Sequence, residues 1–336
     1  MGKADSNKEP KTPHGLYNQG ATCYLNSILQ LLFMTPNFYE RLSSNRKRDL
    51  ELKALFDSLK QGPCRTDNLT KHFHINDVST QHDASQYLEL ILKRISPSAS
   101  EMFRGELFHS IKCVKGHCIN EDTDPFIVLP LPIIDPVNGL YSVETGLERI
   151  FETRMYMGEN RAYCEDCGRN TEAEHKCEMK VHPQVLIILL KRFVLHHSSK
   201  GHIKSNCAVS IPATLDMKGM QYDLYGIVHH WGHLKSGHYT ATVLSRNDKT
   251  WYQFNDDRVQ KADEQLSGHT SSQTAYLLAY TGEQKQVVKT ALSEPKRPLP
   301  ATPPCRIKTA LLVGCSVFVA VLFIALVLGL SLGLTK

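Results

Sequence analysis

GLYNQGATCYLNSILQLLFM, residues 15–34, is the stretch around which this 336-residue chain is organised. Polar residues punctuated by glycine run up to Cys23, and from Tyr24 onward Leu25, Ile28, Leu29, Leu32 and Phe33 recur at helical spacing. The pattern predicts an amphipathic helix with Cys23 in its first turn. Unpaired N–H groups and the positive dipole end at that position favour a thiolate over a thiol, and the thiolate is the form of cysteine that attacks a carbonyl. A small buried residue capping a core helix would occupy the same place. Gly15 and Gly20, which permit close backbone approach, and Asn18, an amide donor one turn ahead, fit the nucleophile but leave both readings open at this point.

Composition narrows the function classes. With 22% charged and 41% hydrophobic residues the chain can build a sizeable core, and its length fits one large domain or two ordinary ones. Ten cysteines without a signal-peptide pattern argue against a disulfide scaffold. They point to a reducing compartment, where cysteine serves catalysis, metal binding or lipid attachment. Residues 283–308 carry a net +4 and Lys336 the remaining +1 of the formal +5, so residues 1–282 are formally neutral. A neutral folded part argues against nucleic-acid binding.

Residues 1–13 read as a disordered tail with Pro10 and Pro13, and Gly2 with Ser6 fits the loose N-myristoylation pattern. After the Cys23 helix, Leu50, Leu52, Leu55, Phe56 and Leu59 predict a second helix. A third, starting near Asp83, puts Ala84, Tyr87, Leu88, Ile91, Leu92 and Ile95 on one face. From Phe103 the character changes to short alternating runs. Strands are predicted at 108–113, 126–134, 178–182, 185–195, 222–229, 237–245, 250–254 and 275–281. Helices first and strands afterwards give an α+β domain over 14–282 rather than alternating βαβ units.

Residues 283–309 form a basic linker whose five prolines between Pro295 and Pro304 favour extended backbone. Ala310 to Leu334 is 25 residues without a charged side chain, long enough as a helix to cross the roughly 30 Å hydrocarbon core with some tilt. Arg306 and Lys308 just before this transmembrane helix put the main domain in the cytosol by the positive-inside rule. Length and apolarity favour the endoplasmic reticulum over the outer mitochondrial membrane as the anchoring site. Cys305 and Cys315 lie where palmitoylation near the interface is possible, and Gly329 with Gly333 offers a helix-pairing motif.

A thiol nucleophile needs a base and a group that orients the base. Among 16 histidines, His238 stands in Ser236-Gly237-His238-Tyr239-Thr240-Ala241 at the head of a β-rich run. Further on, Trp251-Tyr252-Gln253-Phe254-Asn255-Asp256-Asp257 follows a turn at Asn247-Asp248, with Asn255 seventeen residues after His238. An antiparallel return brings Asn255 beside His238, where its oxygen would accept Nδ1–H and fix the tautomer. A neutral amide stabilises an imidazolium less than a carboxylate does, so the adjacent Asp256 is expected to assist.

The pattern G-L-x-N-x-G-x-T-C-Y-x-N-S-x-L-Q of residues 15–30, followed by the G-H-Y and W-Y-x-F-N-D segments, closely resembles the ubiquitin-specific protease family of deubiquitinases. The resemblance covers 14–282. It implies a papain-like thiol protease with helical thumb, β-rich palm and β fingers gripping ubiquitin. It makes Cys23 the nucleophile, His238 the base and Asn255 the third member, with the Asn18 side chain and the Cys23 N–H as oxyanion hole. His230 and Gly232 match the H-x-G that usually precedes the histidine box on a mobile loop, while His229 and His233 receive no role. Gly237 and Tyr239, flanking the base, are expected at the substrate.

Gln81-His82-Asp83-Ala84-Ser85-Gln86 is similar to the family segment in which Asp and Glu meet the arginine-bearing ubiquitin tail. Asp83 keeps its place and can also cap a helix, but Gln86 stands where Glu is usual. The loss of that charge leaves open a preference for a ubiquitin-like modifier. Val185 to Phe193, with its L-K-R-F, reads as palm core.

The resemblance implies no catalytic cofactor, but the family's fingers often hold structural zinc through two C-x-x-C pairs. Cys164 and Cys167 supply one pair. The other is altered to Cys113-Val114-Lys115-Gly116-His117-Cys118, so that Cys113 with Cys118 or His117 would complete four ligands. The implied partners are ubiquitin, ubiquitinated proteins and the membrane. The rival from another class is a catalytically idle, membrane-tethered ubiquitin-binding scaffold.

Overall fold

The computed structural model describes residues 12–133, 140–196, 201–233, 236–262 and 268–284. The expected tail with Gly2, the linker from residue 285 onward, Cys305, Cys315 and the predicted transmembrane helix at 310–334 with Gly329 and Gly333 lie outside the described residues. Among the described residues no helix is long and apolar enough to cross a membrane.

Helices come first: α1 (Cys23–Met34), α2 (Phe38–Arg41), α3 (Lys47–Leu59), α4 (Asp67–His72), α5 (Ala84–Arg94) and α6 (Pro97–Ser100). Leu25, Ile28, Leu29 and Leu32 of α1 are buried on all sides, because this helix lies between the other helices and the main sheet. Leu88, Ile91 and Leu92 of α5 pack into the same core. Asp83 caps α5 by accepting the Gln86 N–H at 2.9 Å.

Strands dominate thereafter: β1 (Gly105–Cys113), β2 (Cys118–Phe126), β3 (Val128–Pro132) and β4 (Leu140–Ser142), then helix α7 (Val143–Phe151). They continue as β5 (Arg154–Tyr156), β6 (Ala162–Cys164), β7 (Arg169–Thr171), β8 (Ala173–Val181), β9 (Val185–Lys191), β10 (Phe193–His196) and β11 (Gly201–Lys204). The last are β12 (Ala208–Pro212), β13 (Thr214–Met217), β14 (Met220–His233), β15 (Ser236–Leu244), β16 (Trp251–Asn255), β17 (Arg258–Lys261), β18 (His269–Ser272) and β19 (Ala275–Gln284).

The large sheet runs β17-β16-β15-β14-β19-β9-β3, with β13 added at one end of β14. One of its faces packs on α1 and the other forms a second core with α7 and β12. A separate antiparallel sheet, β2-β1-β8-β5, projects the β6–β7 hairpin and the turn between β1 and β2.

The expected continuous strand over 185–195 is broken at Arg192. This fully buried side chain donates to the carbonyls of Ala275, Ser205, Cys207 and Ser272, and β10 leaves the large sheet to pair with β11. A buried guanidinium needs acceptors, and the bend supplies main-chain carbonyls. Strand β2 and helix α7 were not foreseen. β2 is an acidic edge strand whose exposed residues show no apolar alternation.

Candidate active site

Helix α1 begins at Cys23, which is 2% exposed. Its first turn is built from outside the helix. The Asn18 side-chain oxygen accepts the N–H groups of Gly20 at 2.9 Å and Thr22 at 3.0 Å, and the Gln19 N–H meets the Thr22 hydroxyl at 3.0 Å. Gly20 holds a φ of 138°, a backbone conformation that side chains rarely adopt. The Cys23 N–H belongs to the first helical turn, whose N–H groups have no acceptor within the helix.

The imidazole arrives from the large sheet. In the β15–β16 register Ala241 faces Phe254, so Asn255 falls level with Thr240, two residues from His238 and on the same face. His238 Nε2 lies 2.7 Å from Asn255 Oδ1. This corrects the expectation of an Nδ1 contact. Nε2 is the outer tip of the ring, and a short amide one strand away meets the tip. The His238 pKa is pushed up to about 9, chiefly by its hydrogen bond with Cys23, against burial, which lowers it, and with smaller help from Asn255.

Asp256, expected to assist the imidazole, holds two side-chain amides. One carboxylate oxygen accepts the Asn18 amide at 3.0 Å and the other the Asn26 amide at 2.8 Å. Asp256 sits in the left-handed region with φ 54°, and its carbonyl accepts the Leu16 N–H at 3.0 Å. Gly15 passes so close that a Cβ there would lie 2.4 Å from the Asp256 carbonyl oxygen. The thiol-bearing segment and the turn after β16 are thus stitched together through Asn18, Asn26 and Asp256. No role was assigned to Asn26 from sequence; the visible signal was an amide in the first turn of α1, three residues after Cys23.

The expected substrate contacts divide. Gln86 is exposed. Asp83 gives one oxygen to its helix cap and the other to the Tyr276 hydroxyl. Tyr239 is buried, its ring against His230 at 4.6 Å and Tyr276 at 5.8 Å. It packs behind Tyr276, whose hydroxyl holds Asp83, and does not line open surface. Both main-chain groups of Gly237 are engaged by the Gln81 carboxamide. Gln81 carried no role in the sequence reading because its partner lies 156 residues away.

His230 and Gly232, expected on a mobile loop, lie within β14, because the β14–β15 pairing extends to His233 opposite Ser236. Burial holds the His230 pKa near 4. His229 is structural: its ring nitrogens meet the hydroxyls of Thr274 at 3.0 Å and Thr242 at 3.1 Å.

At the far end of the projecting sheet, Cys113, His117, Cys164 and Cys167 place one ligand atom each within 4.8 Å of one another. His117, not Cys118, joins the set. The Gly116 N–H bonds back to the Cys113 carbonyl at 2.8 Å with Gly116 at φ 85°, a tight turn that directs the following residue inward. Cys118 already begins strand β2. His117 Nδ1 is 3.6 Å from Cys164 Sγ and 3.3 Å from Cys167 Sγ. Tetrahedral zinc, with Zn–S about 2.3 Å and Zn–N about 2.0 Å, sets such edges at about 3.5 Å, so the donor set fits that ion. Burial opposes ionisation of Cys113, but the N–H groups of Lys115 and His117 outweigh it and its pKa lies below the ordinary thiol value.

A thiol at a helix start, an imidazole and an amide in line define the layout of a cysteine-type hydrolase. The chain belongs to the ubiquitin carboxyl-terminal hydrolase family, whose model matches residues 14–280. Ubiquitin carboxyl-terminal hydrolase 26 of Oryza sativa subsp. japonica is 29% identical over 76% of this chain and 26% of its own length. Ubiquitin carboxyl-terminal hydrolase 15 of Schizosaccharomyces pombe is 28% identical over 74% and 24% respectively. The chain thus spans about a quarter of the length of these curated relatives. Two solved structures share the fold at 23% identity. The SAGA Ubp8/Sgf11/Sus1/Sgf73 module bound to ubiquitin aldehyde matches with TM-score 0.66 over 81% of this chain and 70% of that one. A Ubp8 variant in the same module, bound to monoubiquitin, matches with TM-score 0.67 over 83% and 72%.

Proposed function

We propose that the protein is a thiol-dependent deubiquitinase that hydrolyses the isopeptide or peptide bond at the C-terminal glycine of ubiquitin from a membrane-tethered position. The observation that carries the reading is His238 held between the Cys23 thiol and the Asn255 amide, with Asn18 fixed at the entrance to α1. In this reading the Cys23 sulfur attacks the scissile carbonyl while His238 holds the thiol proton. The Asn18 side chain and the Cys23 N–H receive the oxyanion. His238 then returns the proton to the leaving amine, and water releases the acyl group with His238 as base.

The membrane tether is supported by the uncharged stretch at 310–334 and the basic residues before it, with the endoplasmic reticulum as the favoured site. Zinc, held by Cys113, His117, Cys164 and Cys167, would brace the projecting sheet and take no part in the chemistry. A ubiquitin-like modifier is the second reading, favoured by the uncharged Gln86 and by the two engaged oxygens of Asp83.

The decisive experiment treats the full chain with ubiquitin bearing a C-terminal electrophile. A covalent adduct that is lost in Cys23→Ala is expected, and its absence from folded wild-type protein would leave a binding scaffold. Ubiquitin-like substrates turned over as fast as ubiquitin, or faster, would move the assignment to the second reading.

A further inference from the structure

We propose that Gln81 is a positioning residue for the catalytic base, its carboxamide clasping both main-chain groups of Gly237 and fixing the backbone of His238 against the loop before α5. The inference rests on the reading of His238 as the base. The Gly237 N–H donates to Gln81 Oε1 at 2.6 Å, and Gln81 Nε2 donates to the Gly237 carbonyl.

The need for such a clasp follows from the sheet. β15 pairs with β14 from Ser236 to Val243, but with β16 only from Ala241 onward. His238 therefore sits in a segment with a neighbouring strand on one side alone. Gly237 cannot move inward, since even a Cβ there would meet His230 Nε2 at 2.2 Å and the Trp231 carbonyl at 2.5 Å. Gln81 closes the other side as a peptide would, with one donor and one acceptor.

The loop that carries Gln81 is itself fixed. Asp77 Oδ1 accepts the N–H groups of Ser79 and Thr80, each at 3.0 Å, and the Val78 carbonyl accepts the Ala21 N–H at 2.8 Å. Ala21 lies two residues before Cys23. A route of hydrogen bonds thus runs from the approach to the thiol, through the Val78 carbonyl and the Gln81 side chain, to the residue beside the imidazole. Because a misplacement of about 1 Å can cost a hundredfold in rate, such a route is a means of setting the thiol–imidazole distance.

The test measures turnover of ubiquitin carrying a C-terminal fluorogenic amide, and alkylation of Cys23 by iodoacetamide, on the full chain in detergent. Gln81→Ala is expected to lower kcat about tenfold or more with KM within about twofold, to slow alkylation, and to leave Tm unchanged. Gln81→Glu is expected to resemble Gln81→Ala when ionised, because a carboxylate repels the Gly237 carbonyl. Its deficit should shrink as pH falls, because a neutral carboxylic acid again offers one donor and one acceptor. Wild-type kcat and alkylation in Gln81→Ala would overturn the proposal. So would a raised kcat/KM, which would mark the clasp as an obstruction to substrate, or deficits in Gln81→Glu that ignore pH. Failure of the wild type to turn over ubiquitin would count against the deubiquitinase reading, while alkylation would still decide the role of Gln81.

Discussion

His238 titrates against a neighbour rather than against solvent. Its largest raising influence is Cys23, while burial pulls the other way. Cys23→Ala is therefore expected to drop the His238 pKa well below about 9, which NMR titration of the ring reads directly. Asn255→Asp should raise it, by placing a charge where the amide now sits 2.7 Å away. No movement in either variant would mean that the thiol and the imidazole are not coupled. Because the folded value exceeds the ordinary 6.5, the charged ring stabilises the fold fully below that value. That contribution is lost as pH rises from about 6.5 to about 9, so Cys23→Ala should also flatten the alkaline fall in Tm.

Between α1 and the turn after β16, the Asp256 carboxylate works as a joint. It takes Asn18 on one oxygen and Asn26 on the other, so removing it frees the amide proposed above as oxyanion donor without touching the thiol. Asp256→Ala and Asn18→Ala are each expected to lower kcat about 10²- to 10³-fold, the usual cost of one oxyanion-hole donor. The double variant should be little worse than either single one, because both act through one side chain. Multiplicative losses, measured as single-turnover rates, would show that Asp256 acts on the imidazole instead.

At the scale of the whole molecule, the projecting sheet is the part least secured by apolar packing. Val114, Met155, Met157 and Tyr163 are all exposed there. Four converging ligand groups suit a domain end that cannot be held by burial. Purified protein is expected to carry about one zinc per chain by mass spectrometry. Chelation or His117→Ala should lower Tm, whereas Cys118→Ala should leave zinc content intact. Equal zinc loss in both variants would return Cys118 to the ligand set.

Much of this was legible in the chain because it is local. Helical spacing located α1 and α5, alternation located most of the large sheet, and Cys23 and His238 stood in local segments that resemble those of a known family. Asn255 was legible too, since a short antiparallel return brings strand neighbours together by fixed geometry. The acidic β2 escaped because an edge strand solvated along its length shows no apolar rhythm. The break at Arg192 escaped because its carbonyl acceptors come from segments up to 83 residues away.

The sequence by itself determined most of the elements and their order, since these follow from spacing, and its resemblance to a known family pointed to the thiol, imidazole and amide that could work together. Only the tertiary structure decided which ring nitrogen meets Asn255, that Asp256 holds Asn18, that His117 takes the place expected for Cys118, and that Gln81 reaches Gly237. Each of these is a contact between segments whose separation in the chain leaves no periodic trace, set by how the helices and the sheet pack once the core has closed.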